Sequence, residues 1–274
     1  MKIFDFHCHV YPDAIAKKAS NAVAKFYNVV QGVDIPDLSG SISHVLEAQR
    51  EAGITRTLLC SAATTPYQVR HINAFLAQAA QAAGETCLAF GTLHPYSEDV
   101  EGDVEHLLEL GLYGVKLHPE MQRIALNDPV TMRMFEIAGG RLPFLMHTGD
   151  RRYACSNPEQ LEPVLEAFPE TTFIGGHMGG HMNWIEATSV LAGKYDNFYV
   201  DCSSTAFGVT PGEYLDMIRA YGADRVLFGS DFPMWRPKEE LEKFLALPLT
   251  EEERRLILWD NAVRLLKLPE ETNY

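Results

Sequence analysis

The chain has 274 residues, 46% of them hydrophobic, enough for one large domain with a sizeable core or for two small ones. Acidic residues outnumber basic ones 37 to 23, and the net charge of −14 argues against nucleic acid or an anionic membrane as the main partner. No apolar run reaches the length of a membrane span, the first strand starts almost at Met1, and the five scattered cysteines show no C-x-x-C spacing. Together these features predict a cytoplasmic protein with reduced thiols and with neither signal peptide nor anchor.

Short β-branched or aromatic runs recur along the chain. They are "KIFDFH" (2–7), "RTLLCSA" (56–62), "CLAFGTLHP" (87–95), "YGVKLHP" (113–119), "LPFLMHTG" (142–149), "TTFIGGH" (171–177), "NFYVDCSS" (197–204) and "RVLFGSD" (225–231). Amphipathic stretches lie between most of them, among them 71–84, 104–111 and 158–168, and several end in the glycine that commonly stops a helix. Strands alternating with helices imply a parallel sheet, and eight such units imply an α/β fold of the (β/α)8 TIM-barrel type, one domain over residues 1–274. The open doubly wound alternative lacks a G-x-G-x-x-G after the first strand. Residues 11–50 are the least regular. There "QGVDIPDLSGS" precedes a helix expected from near Ser43, and the segment reads as an insertion after strand 1, over the barrel mouth.

In such barrels chemistry sits at the C-terminal ends of the strands. Seven of the ten histidines fall at or just past those ends, a bias that chance placement does not produce. Strand 1 ends in His7 and His9, which share a face while Cys8 turns to the other side. His94 follows strand 3, Lys116 and His118 end strand 4, and His147 ends strand 5. His177 ends strand 6, with His181 on the loop beyond; Asp201 ends strand 7 and Asp231 strand 8. Barrel closure sets strand 8 beside strand 1, so Asp231 is expected next to His7 and His9, with His147 reaching across the mouth. Three imidazoles and a carboxylate suit a divalent ion, Zn2+ first and Mn2+ second, which brings the pKa of a bound water toward neutrality. His177 is then placed to move protons.

Together "DFHCH", "GVKLHPEMQ", "FLMHTG", "FIGGHMGG", "VDCSS", "LFGSDFP" and "ILWDNAVRLLKL" resemble, in order and over essentially the whole chain, the amidohydrolase superfamily. The nearest branch is the amidohydrolase-2 group, which includes the aminocarboxymuconate-semialdehyde decarboxylase-like enzymes. The resemblance implies metal ligation by His7, His9, His147 and Asp231, with Asp231 also accepting a proton from water. It implies that His177 acts as acid or base with one ion, or binds a second ion. Two-metal members often carry a carboxylated lysine on strand 4, the strand of Lys116. That lysine is read as such a bridge, as an ion-pair partner of Asp201 or Asp231, or as a substrate contact. One ion is expected rather than two.

Other residues have plainer readings beside the functional ones. His94 and His118 each precede proline and shape turns or line the substrate. His181 fits a helix start, and His44, His71 and His106 fit helix surfaces. The glycines of "GGHMGG" lack the Walker lysine and read as room for backbone near the metal. Arg151 and Arg152 in "GDRRYAC" suit a substrate carboxylate or form a solvated charge pair. Cys8 and Cys202 read as small apolar fillers facing the helices, and "EEERR" (251–255) as an exposed helix face.

The expected function is a metal-dependent hydrolase acting on an amide, ester or lactone of a small, carboxylate-bearing metabolite. The runner-up keeps the site and changes the reaction to non-oxidative decarboxylation of an aromatic or dienoic acid. A third reading is a barrel that binds metal or metabolite for sensing. The partner expected is a small molecule, not nucleic acid or membrane, with a homo-oligomer left open.

Overall fold

The computed structural model describes residues 1–31 and 39–269. All eight expected strand segments form strands. They are β1 Phe4–His9, β2 Arg56–Cys60, β3 Cys87–Ala89 continued after Phe90 by Gly91–Thr92, β4 Val115–Leu117, β5 Phe144–Met146, β6 Phe173–Gly175, β7 Phe198–Asp201 and β8 Val226–Leu227. Neighbours pair in parallel in chain order, as in Lys116 with Leu145 and Asp201 with Leu227. The ring closes between β8 and β1, where Phe6 N donates to Phe228 O at 2.8 Å, Asp231 N to His7 O at 2.8 Å and His9 N to Phe232 O at 2.7 Å. The fold is therefore a closed parallel α/β barrel in one domain.

Alternation along the strands divides two cores. Leu145, Ile174 and Leu227 fill the barrel with Phe4, Phe6 and Phe90. Val115, Leu117, Phe144, Phe173 and Val200 face the helices. Strict alternation along β1 would set His7 and His9 opposite to Phe4 and Phe6. The β1–β2 register shifts between Asp5 and Cys8, and this irregularity lets Phe6 point into the core while His7 and His9 point into the mouth. Cys8, buried among the outer core residues, lies 3.7 Å from Gln49 on a surrounding helix, as its filler reading requires.

The helices that matter below are α1 Asp13–Gln31, α2 Ile42–Ala52, α3 Val69–Ala83, α4 Val100–Glu109 and the single turn α5 Pro119–Gln122. After them come α6 Pro129–Ala138, α7 Pro158–Ala167 and α8 Trp184–Leu191. The segment after β1 corrects the expectation of an irregular insertion, because its first half is the long helix α1. "AIAKKASNAVAK" (14–25), rich in Ala and Lys, has the helical propensity for it, which the neighbouring Gly/Pro/Asp run obscured. Most of that run lies outside the described residues. The helix expected near Ser43 is α2, capped by Ser41. Among the described residues no helix is long and apolar enough to cross a membrane, and all five cysteines are free thiols.

Candidate active site

Polar side chains from several strand ends meet at the mouth. His7 is the hub. Its Nδ1 lies 2.9 Å from Asp201 Oδ2, an arrangement that puts the ring's hydrogen on Nδ1 and leaves a lone pair on Nε2. That Nε2 lies 3.2 Å from His9 Nε2 and 3.6 Å from Asp231 Oδ1, and His9 Nε2 lies 3.3 Å from the same oxygen. Ligands about 2.0–2.2 Å from a tetrahedral centre stand roughly 3.3–3.6 Å from one another. The spacing of these three atoms fits the edges of such a polyhedron. Lys116 Nζ is 2.9 Å from His7 Nε2 and shares this place; burial pushes the lysine's pKa down.

The carboxylates around the hub are held by donors. Asp201 Oδ1 accepts from Ser203 Oγ at 2.5 Å, Ser203 N at 3.0 Å and His177 N at 3.2 Å. Asp231 Oδ2 accepts from Ser204 Oγ at 2.5 Å, and Ser204 Oγ in turn accepts from Trp235 Nε1 at 2.7 Å. Burial alone would raise the pKa of Asp231, but the hydrogen bond and the charge of His9 hold it well below the usual carboxylate range. Burial likewise opposes charge on His9, yet Cys60 and Asp231 carry its pKa up to about 9. Asp231, His177 and Ser204 all have positive φ, at 59°, 58° and 52°. Such backbone is costly for non-glycine residues and is concentrated here at the mouth.

His147 stands one ring away from the hub. Its Nδ1 is 2.9 Å from His177 Nε2, and its Nε2 is 3.2 Å from the hydroxyl of Tyr27 on α1. Tyr27 also bonds His118 Nε2 at 2.7 Å, and the His118 and His147 rings stack with centroids 4.3 Å apart and 5° between their planes. Burial pushes the pKa values of His118, His147 and His177 well below the ordinary imidazole range, so these rings are neutral.

Among the described residues, three groups bring ligand atoms within 4.8 Å of one another: His7, His9 and Cys60; His7, His177 and Asp201; and His118, Glu120 and His147. In the second, the atoms already hydrogen-bond to each other. In the third, the stacked rings keep their in-plane lone pairs in parallel planes that never converge on one ion. In the first, extended by Asp231, His7 Nε2, His9 Nε2 and Asp231 Oδ1 stand at ligand spacing.

These groups form the floor of a cavity of about 450 Å3, with His9, His118, His147, His177 and Asp231 at its base. The walls are mainly apolar, with Tyr11, Ile15, Val23, Phe26, Phe75 and Met121, and also carry Ser61, Thr64, Gln68 and His71. The structure thus gathers His7, His9, Lys116, His118, His147, His177 and Asp231 at one mouth. His181, expected at a helix start, stands just before α8, yet its buried ring lies 5.0 Å from that of His177.

Three expected substrate contacts lie elsewhere. His94 Nδ1 accepts from Tyr96 N at 3.2 Å within its own turn. Arg151 pairs with Glu159 at 2.9 Å and Glu186 at 2.6 Å. Arg152 pairs with Asp150 at 2.7 Å and sits 4.5 Å over the Phe26 ring. None of the three lines the cavity. The glycine reading holds at Gly176, where a Cβ would meet Met146 O at 3.0 Å and His7 Cε1 at 3.5 Å. Sequence reasoning missed Tyr27, Glu120, Cys60, Ser203 and Ser204. Ser203, Ser204 and Glu120 sit inside quoted motifs, whereas Tyr27 carries no local signal.

Comparison with known proteins agrees with this architecture. A curated relative, gamma-resorcylate decarboxylase of Polaromonas sp. (strain JS666 / ATCC BAA-500), is 30% identical over 123 residues, 38% of this chain and 37% of that protein. The match thus spans a little over a third of the relative's length. An uncharacterized TIM-barrel protein from Bordetella bronchiseptica superposes with a TM-score of 0.80 at 24% identity, covering 97% of this chain and 99% of that one. A dihydroxybenzoic acid decarboxylase from Polaromonas sp. JS666, solved with bound manganese and the inhibitor 2-nitroresorcinol, gives 0.70 at 19% identity, covering 97% of each chain. At these identities the two structures speak for the fold alone. The family model for amidohydrolases matches residues 4–268, from the first barrel strand to the last helix, and the chain belongs to the amidohydrolase family.

Proposed function

We propose that the chain is a metal-dependent carboxy-lyase that removes CO2, without oxidation, from a small aromatic or dienoic acid. The observation that carries this reading is the cavity: four histidines and Asp231 gather on its floor, its walls are mainly apolar and aromatic, and Arg151 and Arg152 are committed to carboxylates outside it. A flat acid with one charged end matches that division. The curated decarboxylase relative supports the same reading.

A divalent ion, Zn2+ or Mn2+, would be held by His7, His9 and Asp231, with His147 as the further ligand expected. When bound, it would anchor an anionic group and draw off negative charge. The residues do the remainder. Asp201 fixes the His7 tautomer. Asp231 or His177, both on the cavity floor, is placed to pass on to the substrate carbon a proton taken up from solvent or from the substrate itself, as the bond to the carboxylate breaks. The electron pair of that bond takes the proton and CO2 leaves, so the reaction is balanced without an oxidant. The apolar walls exclude water from the carbanion-like carbon.

Hydrolysis is the second reading. It is favoured by one observation: Asp231 is held as a carboxylate beside the cavity, a proton acceptor for an attacking water. The test is a metal-reconstituted assay on two panels, aromatic and dienoic acids read by CO2 release, and esters, amides and lactones read by acid release. CO2 release abolished by chelator supports the proposal. Hydrolysis without CO2 release would replace it with the second reading.

A further inference from the structure

Four side chains on the cavity floor form one hydrogen-bond chain, and its two ends assign the ring hydrogens of its three histidines. At one end, His118 Nδ1 accepts from the amide of Met121 at 3.4 Å, while Glu120 Oε2, 3.3 Å from the same nitrogen, makes no hydrogen bond to it; the ring hydrogen is therefore assigned to Nε2. His118 Nε2 therefore donates to the Tyr27 oxygen at 2.7 Å. At the other end, His177 Nδ1 faces the carbonyl of Ser203 at 3.1 Å and must donate to it. His177 Nε2 is then an acceptor, filled by His147 Nδ1 at 2.9 Å, and His147 Nε2 is left as an acceptor as well. Tyr27 receives a hydrogen from His118, and its own hydrogen is free to point at His147 Nε2, 3.2 Å away, or into the cavity that the phenol lines.

We infer that Tyr27, carried in on α1, is a substrate-contacting residue whose hydroxyl hydrogen is aimed by His118 at an oxygen of the bound acid. The inference rests on the reading of the cavity as a site for a small aromatic acid. Phe26 beside it supports the placement: its carbonyl accepts from Arg152 at 3.2 Å, and its ring is stacked on Tyr153 with centroids 5.9 Å apart. The end of α1 is thus fastened over the cavity.

The test uses the metal-loaded protein and a panel of probes: benzoate, salicylate and 3-hydroxybenzoate. Binding is read by calorimetry, with CO2 release and metal content measured alongside. Tyr27→Phe keeps the ring and is expected to weaken binding of the hydroxylated probes about tenfold at unchanged metal content, the effect of one lost hydrogen bond. His118→Asn keeps a capping side chain for Met121 but loses the ring that aims the phenol. It should weaken binding less, and add nothing in the Tyr27→Phe background. Wild-type affinity in Tyr27→Phe, additive losses in the double variant, loss of metal from Tyr27→Phe, or no probe bound by the wild type would each overturn the inference. Binding without CO2 release in the wild type would instead sink the carboxy-lyase reading and leave the Tyr27 contact standing.

Discussion

Asp201→Asn is the sharpest test of how the hub histidine is set. The carboxylate serves four donors: His7 Nδ1 through Oδ2, and His177 N, Ser203 N and Ser203 Oγ through Oδ1. Asparagine has one acceptor oxygen and one donor group. Turning its NH2 toward the Oδ1 side would oppose three donors, so the NH2 faces His7 instead. The ring must then present a lone pair at Nδ1 and carry its hydrogen on Nε2, the atom 3.2 Å from His9 Nε2. The hydrogen now occupies the direction a metal needs. Losing a charge-assisted hydrogen bond costs about 1.5–3 kcal/mol, and removing such an outer partner typically lowers metal affinity roughly 10–100-fold, or about 1.4–2.8 kcal/mol. The two estimates agree. Zn2+ affinity would be measured by competition with a chromophoric chelator, alongside a thermal melt to establish that the variant folds. A folded Asp201→Asn protein with wild-type affinity would refute the tautomer argument and the assignment of His7 Nε2 as a ligand.

Two further outcomes follow from groups around the site. Burial brings the pKa of His181 from its ordinary 6.5 down to about 4. Between those values the unfolded chain binds a proton that the folded chain does not. Stability therefore falls as pH drops through that window, by about 1.4 kcal/mol per unit and about 3 kcal/mol in all. His181→Gln should flatten this slope in urea unfolding of chelator-treated protein between pH 7 and 4; a slope equal to that of the wild type would contradict the assignment. Arg152→Ala removes the bond to Phe26 O and the guanidinium over its ring, worth about 1–2 kcal/mol together. Amide exchange within residues 13–27 should quicken about tenfold, and unchanged exchange would mean that α1 is held by other contacts.

Much of this was legible in advance because barrel strands are short, apolar and regularly spaced, and because their polar ends are the exceptions. His7, His9, Lys116, His147, His177 and Asp231 all break an apolar run at its C-terminal end, and the fold brings those ends together. Tyr27 was illegible for the opposite reason. It sits mid-helix among residues of ordinary composition, and only the path of α1 over the mouth brings it to His118. The arginines misled because their charge is visible in sequence while their partners, Glu159, Glu186 and Asp150, are not. Glu120 and Cys60 were overlooked because a lone acid after proline and a lone thiol in a strand carry no pattern of their own.

The seam between β8 and β1 has a consequence for biosynthesis. Ser230 bonds Asp5 across 225 residues of sequence, and Asp231 meets His7 and His9 on the same seam. A chain leaving the ribosome presents both histidines more than two hundred residues before Asp231. Two imidazoles on an open sheet edge grip an ion poorly. Tight capture by the proposed ligands would therefore wait for synthesis of the eighth strand, and chains that stop before it would stay metal-poor.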